Sequence, residues 1–419
     1  MSADGTMTQI NLDNKKGPLL WMNAGELSGD IHGAALLEAL RRQNPDVECI
    51  GMGGAYMRAA GQRASLRVED LSVMGGTEVL AYLPRIIKML RQIKRELTAS
   101  VQGKAAKQNL HGVDAVVVID APDFNFRVIK MARKLNIPVY YYISPKIWAW
   151  RTGRVHFIKK HVKRVFSILP FEVDFYRQHG MEVDYVGNPL VDLVKPCDLD
   201  HIEPIPNRIG ILPGSRRKEL QSLLPRFGEA AQLLRKNHPN LTFHCVRAPS
   251  MTSEQITDLW PNDVPLEIVE PEGRYAFLRT CTMVMASSGT ATLETALLRI
   301  PTLVAYTMSP LSGWLAKRLI KVKYAALPNL ILEREVFPEL LQDKATAQLL
   351  AAKAALWLST PQALQHVHNE LNVLRDVIGV SCQADAAKND VSSNQDASEF
   401  MTAPDKAARI LLQDLMQNA

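Results

Sequence analysis

The chain reads as an α/β protein made of two doubly wound, parallel-sheet domains that face a central cleft and carry a helical tail. Three observations support this. From Leu19 onward short apolar runs alternate with helical patterns. The alternation stops in the polar, proline-containing stretch Pro189 to Asn207 and then restarts. Beyond about Ala345 only helical patterns remain. Continuous apolar runs without polar alternation are strands covered on both faces, which is how a parallel sheet with helices on each side is written in sequence.

Residues 1–18 form a polar tail with no apolar stretch of signal-peptide length. Residues 19–190 make the first domain, with strands in LLWMNAG, VECIGMGG, AVVVIDA, VYYYISP and RVFSILP; a polar insert, Ser100 to Gly112, interrupts it. Residues 191–207 are the linker, and 208–343 the second domain, with strands in RIGILPG, LTFHCVRA, LEIVE, MVMAS and TLVAYT. Residues 344–419 are helical, as in ATAQLLAAKAALWL and ALQHVHNELNVLRDVIG. A polar segment, 381–402, expected to be mobile, precedes a last amphipathic helix, Pro404 to Met416. Ligands of doubly wound sheets gather at the carboxyl ends of the strands, so the expected active site is the cleft between the domains.

Composition narrows the function classes. Of 419 residues 47% are hydrophobic, ample for two cores, and 49 Lys and Arg against 43 Asp and Glu give a net charge of +6. That excess favours anionic partners, and no DNA- or RNA-reading motif accompanies it, so nucleic acid is not an expected partner. The five cysteines, Cys49, Cys197, Cys245, Cys281 and Cys382, are scattered and lack the spacing of metal or redox pairs, which predicts reduced thiols. No run approaches bilayer-spanning length, and a cytoplasmic protein is expected.

Two loops have phosphate-binding character. In MVMASSGTATLETAL, Met283 to Leu297, an apolar strand passes through small residues into a helix. There Ser288 and Gly289 permit close approach, Thr290 and Thr292 add hydroxyls, and the free amides of the first helical turn face the ligand side. Glu294, read as lying in that first turn, either favours the helix dipole or reaches a ribose diol. In RIGILPGSRRKEL, Arg208 to Leu220, Pro213 and Gly214 break a strand, Ser215 is the expected helix cap, and Arg216 or Arg217 offers a guanidinium fork to a diphosphate. The Gly-Lys-Ser/Thr ending of a Walker A loop is absent, which disfavours an ATP or GTP hydrolase.

The first domain offers acceptor-side groups. AGELSGDIHG places Glu26, Ser28, Gly29 and Asp30 at a strand-to-helix crossing, suited either to anion binding or to turn chemistry. VVVIDAPDFN puts Asp120 at the end of a buried strand, the position of a rigidly held general base, and Asp123 in the loop as its organiser. In ISPKIWAWR, Trp148 and Trp150 either stack on sugar or acyl chains or pack at the sheet edge, and Arg151 stands ready for an acidic substrate. From Val79 to Leu97, the residues Val79, Leu80, Leu83, Ile86, Ile87, Leu90 and Ile93 form one helical stripe opposite Arg85, Lys88, Arg91, Lys94 and Arg95. Such a helix packs in the core with a solvated face or lies on an anionic membrane.

With these pieces assembled, the chain resembles the lipid-A-disaccharide synthase family, inverting glycosyltransferases of the GT-B fold. The resemblance runs from Leu19 to Glu339 through AGELSGD, VMGGTEVL, IDAPDFN, SPKIWAWR, LPFE, LPGSR, ASSGTATLE and LAKRLIKVKYAALPNLI, in that order. It implies a donor, UDP-2,3-diacylglucosamine, and an acceptor, 2,3-diacylglucosamine 1-phosphate (lipid X), joined by a β-1,6 link with release of UDP. By position the family's essential aspartate falls on Asp120, its essential arginine on Arg216, its ribose-binding glutamate on Glu294 and a UDP-site asparagine on Asn329. Its membrane-facing patch falls on Val79, Leu80, Leu83, Ile86 and Ile87, which implies peripheral attachment to the inner face of the cytoplasmic membrane. No cofactor or metal is expected, the one Asp-x-Asp, Asp198 to Asp200, lying in the linker. A homodimer through the C-terminal helices is a further expectation. Asn188, in GNPL, stands where other members carry histidine and receives no catalytic task. Two other readings stay open, a nucleotide-sugar 2-epimerase of the same architecture and a noncatalytic membrane-bound sensor.

Overall fold

The computed structural model describes residues 17–69, 79–105, 112–308, 322–380, 382 and 401–417, except the side chains of 79–83 and 103–105. The expected mobile stretch therefore falls almost wholly outside the described residues, as do Val79, Leu80 and Leu83 of the apolar stripe where side chains are concerned.

The first sheet contains β1 (Leu19–Ala24), β2 (Glu48–Gly53), β3 (Arg63–Arg67), β4 (Ala115–Ile119), β5 (Val139–Tyr142), β6 (Arg164–Ser167) and β7 (Asp184–Tyr185). All pairings are parallel, in the order β3-β2-β1-β4-β5-β6-β7. Between the strands run α1 (Leu27–Gln43), α2 (Ala55–Ala59), α3 (Val79–Ala105), α4 (Pro122–Lys134), α5 (Ile147–Trp150), α6 (Arg154–His161) and α7 (Pro170–Gln178). Successive strand residues point to opposite faces, so two cores form. Trp21, Val116, Val118 and Tyr141 join Ile93, Leu97 and Val128 on one side. Leu20, Met22, Val117 and Tyr142 join Leu36, Leu37 and Leu40 on the other.

The second sheet has β8 (Arg208–Leu212), β9 (Thr242–Val246), β10 (Leu266–Val269), β11 (Met283–Ser287), β12 (Thr302–Tyr306) and β13 (Glu339–Leu341), again all parallel, in the order β10-β9-β8-β11-β12-β13. The linker carries α8 (Pro189–Val194), and the second half adds α9 (Arg217–Arg235), α10 (Ser253–Thr257), α11 (Arg274–Arg279), α12 (Thr290–Leu297) and α13 (Leu327–Leu332). The tail supplies α14 (Ala347–Ser359), α15 (Pro361–Ile378) and α16 (Ala403–Met416). Every strand expected from the sequence is present. The edge strands β3, β7 and β13 were not expected, being short or, in RASLR, half polar.

Three expectations change. The first residues of the insert at 100–112 extend α3 to Ala105 instead of breaking the domain. The tail does not act as one unit. Leu350, Ala354, Leu371 and Leu374 of α14 and α15 join the core of the second sheet, whereas Ala407, Ala408, Leu411 and Leu412 of α16 join that of the first. Asp414 of α16 bonds Tyr140 and pairs with Lys163 at 2.7 Å, and Arg42 of α1 meets Asp405 at 2.7 Å. The apolar face of the last helix therefore packs on the first sheet.

The linker is held to the second domain by Asp200. Asp200 receives both terminal nitrogens of Arg375 at 2.8 and 2.9 Å and Arg299 at 2.8 Å, while Arg375 Nε donates to the Leu297 carbonyl at 2.7 Å. Third, Cys197 and Cys382 form a disulfide, against the expectation of five reduced thiols, while Cys49, Cys245 and Cys281 are buried. Asp192 of α8 accepts the Ala403 amide at 3.0 Å. The two stretches by which the chain passes between the sheets are therefore fastened to each other.

Arg375→Met leaves Asp200 and the Leu297 carbonyl without their buried partner. It is expected to destabilise the protein by about 3 kcal/mol, seen as a lower urea midpoint with an unchanged slope.

Candidate active site

In each sheet the strand order reverses direction once, between β1 and β4 and between β8 and β11. Crossover helices diverge there to opposite faces, leaving a crevice outside the carboxyl ends of the two strands. The sequence-predicted residues fall at these two places. Because β8 and β11 are parallel neighbours, the Gly214–Arg216 loop and the Ser288–Thr290 loop leave the sheet at the same end.

At the second crevice, Gly214 takes φ +107°, and a Cβ there would lie 2.4 Å from Glu219 Oε2, so glycine is required. The helix cap is Arg216, not Ser215, and no side chain caps the helix. Its first amides are therefore left for another acceptor. The Arg216 side chain is 78% exposed and meets Glu219 at 2.9 Å, a surface pair easily exchanged for an anion. Gly289 caps α12 in extended backbone, and nothing lies within 4 Å of where its Cβ would be. Gly289 and Thr290 are exposed. Thr292 is buried and donates its hydroxyl to the Gly289 carbonyl at 2.8 Å, and Ser288 bonds the Ala325 carbonyl at 3.3 Å, so these two hydroxyls shape the loop.

Glu294 lies in the second turn of α12, not the first. Its Oε1 accepts from Arg274 at 3.0 Å and Tyr275 at 3.1 Å, partners that the sequence reading did not find because they lie a strand and a loop away. Asn329 is fully committed within the protein. It donates to the Phe337 carbonyl at 2.7 Å and Glu339 at 2.8 Å, and it accepts the Val336 and Phe337 amides, each at 2.8 Å. With both side-chain donors and its oxygen engaged inside the protein, the Asn329 side chain clamps its loop, and its first-turn backbone amide is the group it offers to the cleft side.

At the first crevice, Asp120 follows β4 and is half-buried. Burial raises its carboxyl above the ordinary aspartate range, opposed by the nearby Lys146 charge and the Ala121 amide. Lys146 was present in SPKIWAWR but not singled out. Glu26 and Ser28 are exposed at the start of α1 and Gly29 is buried. A Cβ on Gly25 would meet that of Ala121 at 2.3 Å, so the two loops pack directly on each other. Asp30 departs from expectation. It is buried and accepts the amides of Gly54 at 2.6 Å, Tyr56 at 2.9 Å and Met57 at 3.1 Å, capping the helix after β2 and not facing an acceptor.

The loop after β5 divides its aromatics. Trp148 is buried and donates to Glu172 at 3.0 Å. Burial pushes the Glu172 carboxyl up to about 7 despite bonds from Ser167 and Trp148. Trp150 is 40% exposed, with the Arg151 guanidinium 3.9 Å from its ring centre. Arg151 also pairs with Asp123 at 2.9 Å, which bears out Asp123 as organiser of its loop. Asn188 caps α8 through the Leu190 amide at 3.0 Å and bonds the Ile168 carbonyl at 3.2 Å. The apolar stripe of α3 splits: Leu90 and Ile93 are core, Ile86 is half-buried and Ile87 is 38% exposed beside a groove lined by Lys88, Arg91, Lys94 and Arg95. No described helix is long and apolar enough to cross a membrane.

Comparison with solved structures agrees on the architecture. A UDP-GlcNAc 2-epimerase from Neisseria meningitidis superimposes with a TM-score of 0.55 over 96% of this chain and 99% of that one at 12% identity. A ugt transferase from Siraitia grosvenorii gives 0.55 over 95% and 99% at 9% identity. These likenesses establish the GT-B fold and no more. Sequence goes further. Lipid-A-disaccharide synthases from Geobacter metallireducens and Koribacter versatilis are 37% and 38% identical over 363 and 359 residues. Those alignments cover 85% and 83% of this chain and 92% and 90% of the relatives. The profile of the family described as lipid-A-disaccharide synthetase matches residues 20–388, a span that contains both crevices, and the chain belongs to that family of glycosyltransferases.

Proposed function

We propose that the protein transfers 2,3-diacylglucosamine from UDP-2,3-diacylglucosamine to lipid X, forming the β-1,6-linked lipid A disaccharide 1-phosphate and UDP. The observation that carries this reading is the opposite chemistry of the two crevices in a chain of this family: a desolvated carboxyl at one, uncapped helix starts with an exposed arginine at the other.

In this reading Asp120 takes the proton from the acceptor 6-hydroxyl as that oxygen attacks the anomeric carbon opposite the departing diphosphate, inverting it. A carboxyl raised toward working pH accepts a proton more readily than an ordinary aspartate, and the Lys146 charge keeps it ionised. Arg216 and the amides at Gly289 and Thr290 receive the growing charge on UDP. The same cationic groups neutralise the diphosphate without a metal. Glu294, steadied by Arg274 and Tyr275, offers its other oxygen to the ribose diol. Trp150 and Arg151, with Glu26 and Ser28, line the acceptor side. The exposed Ile87 and the basic groove of α3 meet an anionic membrane surface in this reading, and the sequence assigns Val79, Leu80 and Leu83 to the same contact.

Purified protein given the UDP-linked donor should yield disaccharide by mass spectrometry only when lipid X is present; a 2-epimerase would convert the donor alone. Asp120→Ala is expected to keep UDP affinity within about twofold while lowering turnover by at least 100-fold, and Arg216→Ala to weaken both. Undiminished turnover in the Asp120 variant would remove the base assignment.

Asp120 also makes a stability prediction. Its folded pKa is raised, so the folded state binds the proton more tightly than the unfolded chain does, and stability falls as pH rises through the folded value. Asp120→Asn should therefore raise the melting temperature at neutral pH, and the gain should vanish below the ordinary aspartate range.

Membrane attachment is tested by vesicle sedimentation. Serine at Leu80, Leu83 and Ile86 should release the protein from anionic vesicles, and undiminished pelleting would assign this helix to the core alone.

A further inference from the structure

The turn that presents Asp120 is conformationally costly. Asp120 and Ala121 take φ of 45° and 41°, two consecutive left-handed residues, neither of them glycine. Side chains with a Cβ resist that region, and alanine lacks the local hydrogen bonding that helps aspartate enter it. Such a turn persists only where its surroundings over-determine it, and they do so here.

Three donors converge on the turn's carbonyls. The Asn125 amide donates to Ile119 at 3.0 Å and to Asp120 at 2.7 Å, and the Tyr141 hydroxyl donates to Asp120 at 2.8 Å. With both of its N–H groups spent, Asn125 must accept through its oxygen, and it does so from the Asn23 amide at 2.6 Å. That fixes the orientation of Asn23, whose own oxygen is left buried with no partner among the described residues. Asn23, Asn125 and Tyr141 are each fully buried, on β1, α4 and β5.

We propose that Asn125 and Tyr141, with Asn23 behind them, are positioning residues for glycosyl transfer: they lock the Asp120 carbonyl from two sides and thereby aim its carboxylate at the acceptor hydroxyl, without touching substrate. The inference rests on Asp120 as the base, as proposed above. A carbonyl held by two donors turns only when both bonds break, and a base displaced by about 1 Å loses on the order of 100-fold in rate. Gly25 closes the third side, because any Cβ there would strike Ala121.

The test uses the full-length protein with donor and lipid X. Tyr141→Phe should lower kcat about tenfold and Asn125→Ala about 100-fold, with KM for the UDP donor changed less than about twofold. In both, the acid limb of the kcat profile should move to lower pH as the carboxylate relaxes toward water. Adding Ala121→Gly to Tyr141→Phe should restore at least about threefold, since glycine holds the left-handed turn without the lost bond. Wild-type kcat and pH profile in both single variants would overturn the proposal, as would a lower melting temperature with kcat per folded molecule unchanged. Asp120→Asn separates the two levels. Retained turnover in that variant sinks the base assignment itself, whereas an inactive Asp120→Asn beside fully active Tyr141→Phe and Asn125→Ala sinks only the positioning role.

Discussion

The constraint on which the rest depends is the handedness of the crossover between parallel strands. A right-twisted strand feeding a helix returns to the sheet in one sense only, so a sheet that grows outward in both directions from its first strand sends neighbouring helices to opposite faces. The orders 3-2-1-4-5-6-7 and 10-9-8-11-12-13 each contain one such reversal. At that place the helices cannot cover the strand ends, and the very first amides of the helices that start there have no acceptor within the helix. A crevice with a partial positive rim follows from topology before any particular side chain is chosen.

Side chains then make the two crevices unlike. In the first sheet a carboxyl is sunk where desolvation works against its charge, and only Lys146 and one amide offset this. In the second, Arg216 stays largely in water, bound only to Glu219. In the proposed reaction the asymmetry matters because the two groups would have different tasks. A base needs a fixed direction and a raised proton affinity, which burial supplies. An anion clamp needs to engage and release a charged leaving group, and an exposed pair that contributes little to stability can be exchanged at small cost.

Much of this was legible in the residues. Runs such as AVVVI and MVMAS read as strands because they are almost wholly apolar, and the loops that follow hold the proposed site residues. What escaped reading had physical reasons. RASLR presents a charged, half-polar edge, and β7 has only two residues, so neither shows a core period. Cys197 and Cys382 are 185 residues apart, and no spacing rule reaches that far. Asp30 and Asn329 sit among small or loop-forming residues exactly as ligand contacts would. Only a count of their partners shows that three amides consume the first and four groups the second. Lys146, Asn125 and Tyr141 stood inside apolar or aromatic motifs where a packing role was the ordinary assignment.

The chain's return path gives the two halves a common frame. After α15 it crosses back, and α16 seats on the first sheet through Leu411, Leu412 and Asp414. Each half is thereby reached by two stretches of chain, and these are joined by Cys197–Cys382 and by Asp192 to the Ala403 amide. Two crossings fastened to each other restrain swivel between the halves more than a single linker would. For a reaction that needs a base on one sheet and a diphosphate clamp on the other, that restriction has a chemical use. The direction of Asp120 is set by Asn125, Tyr141 and Gly25 of its own half, so it is preserved however the halves move against each other.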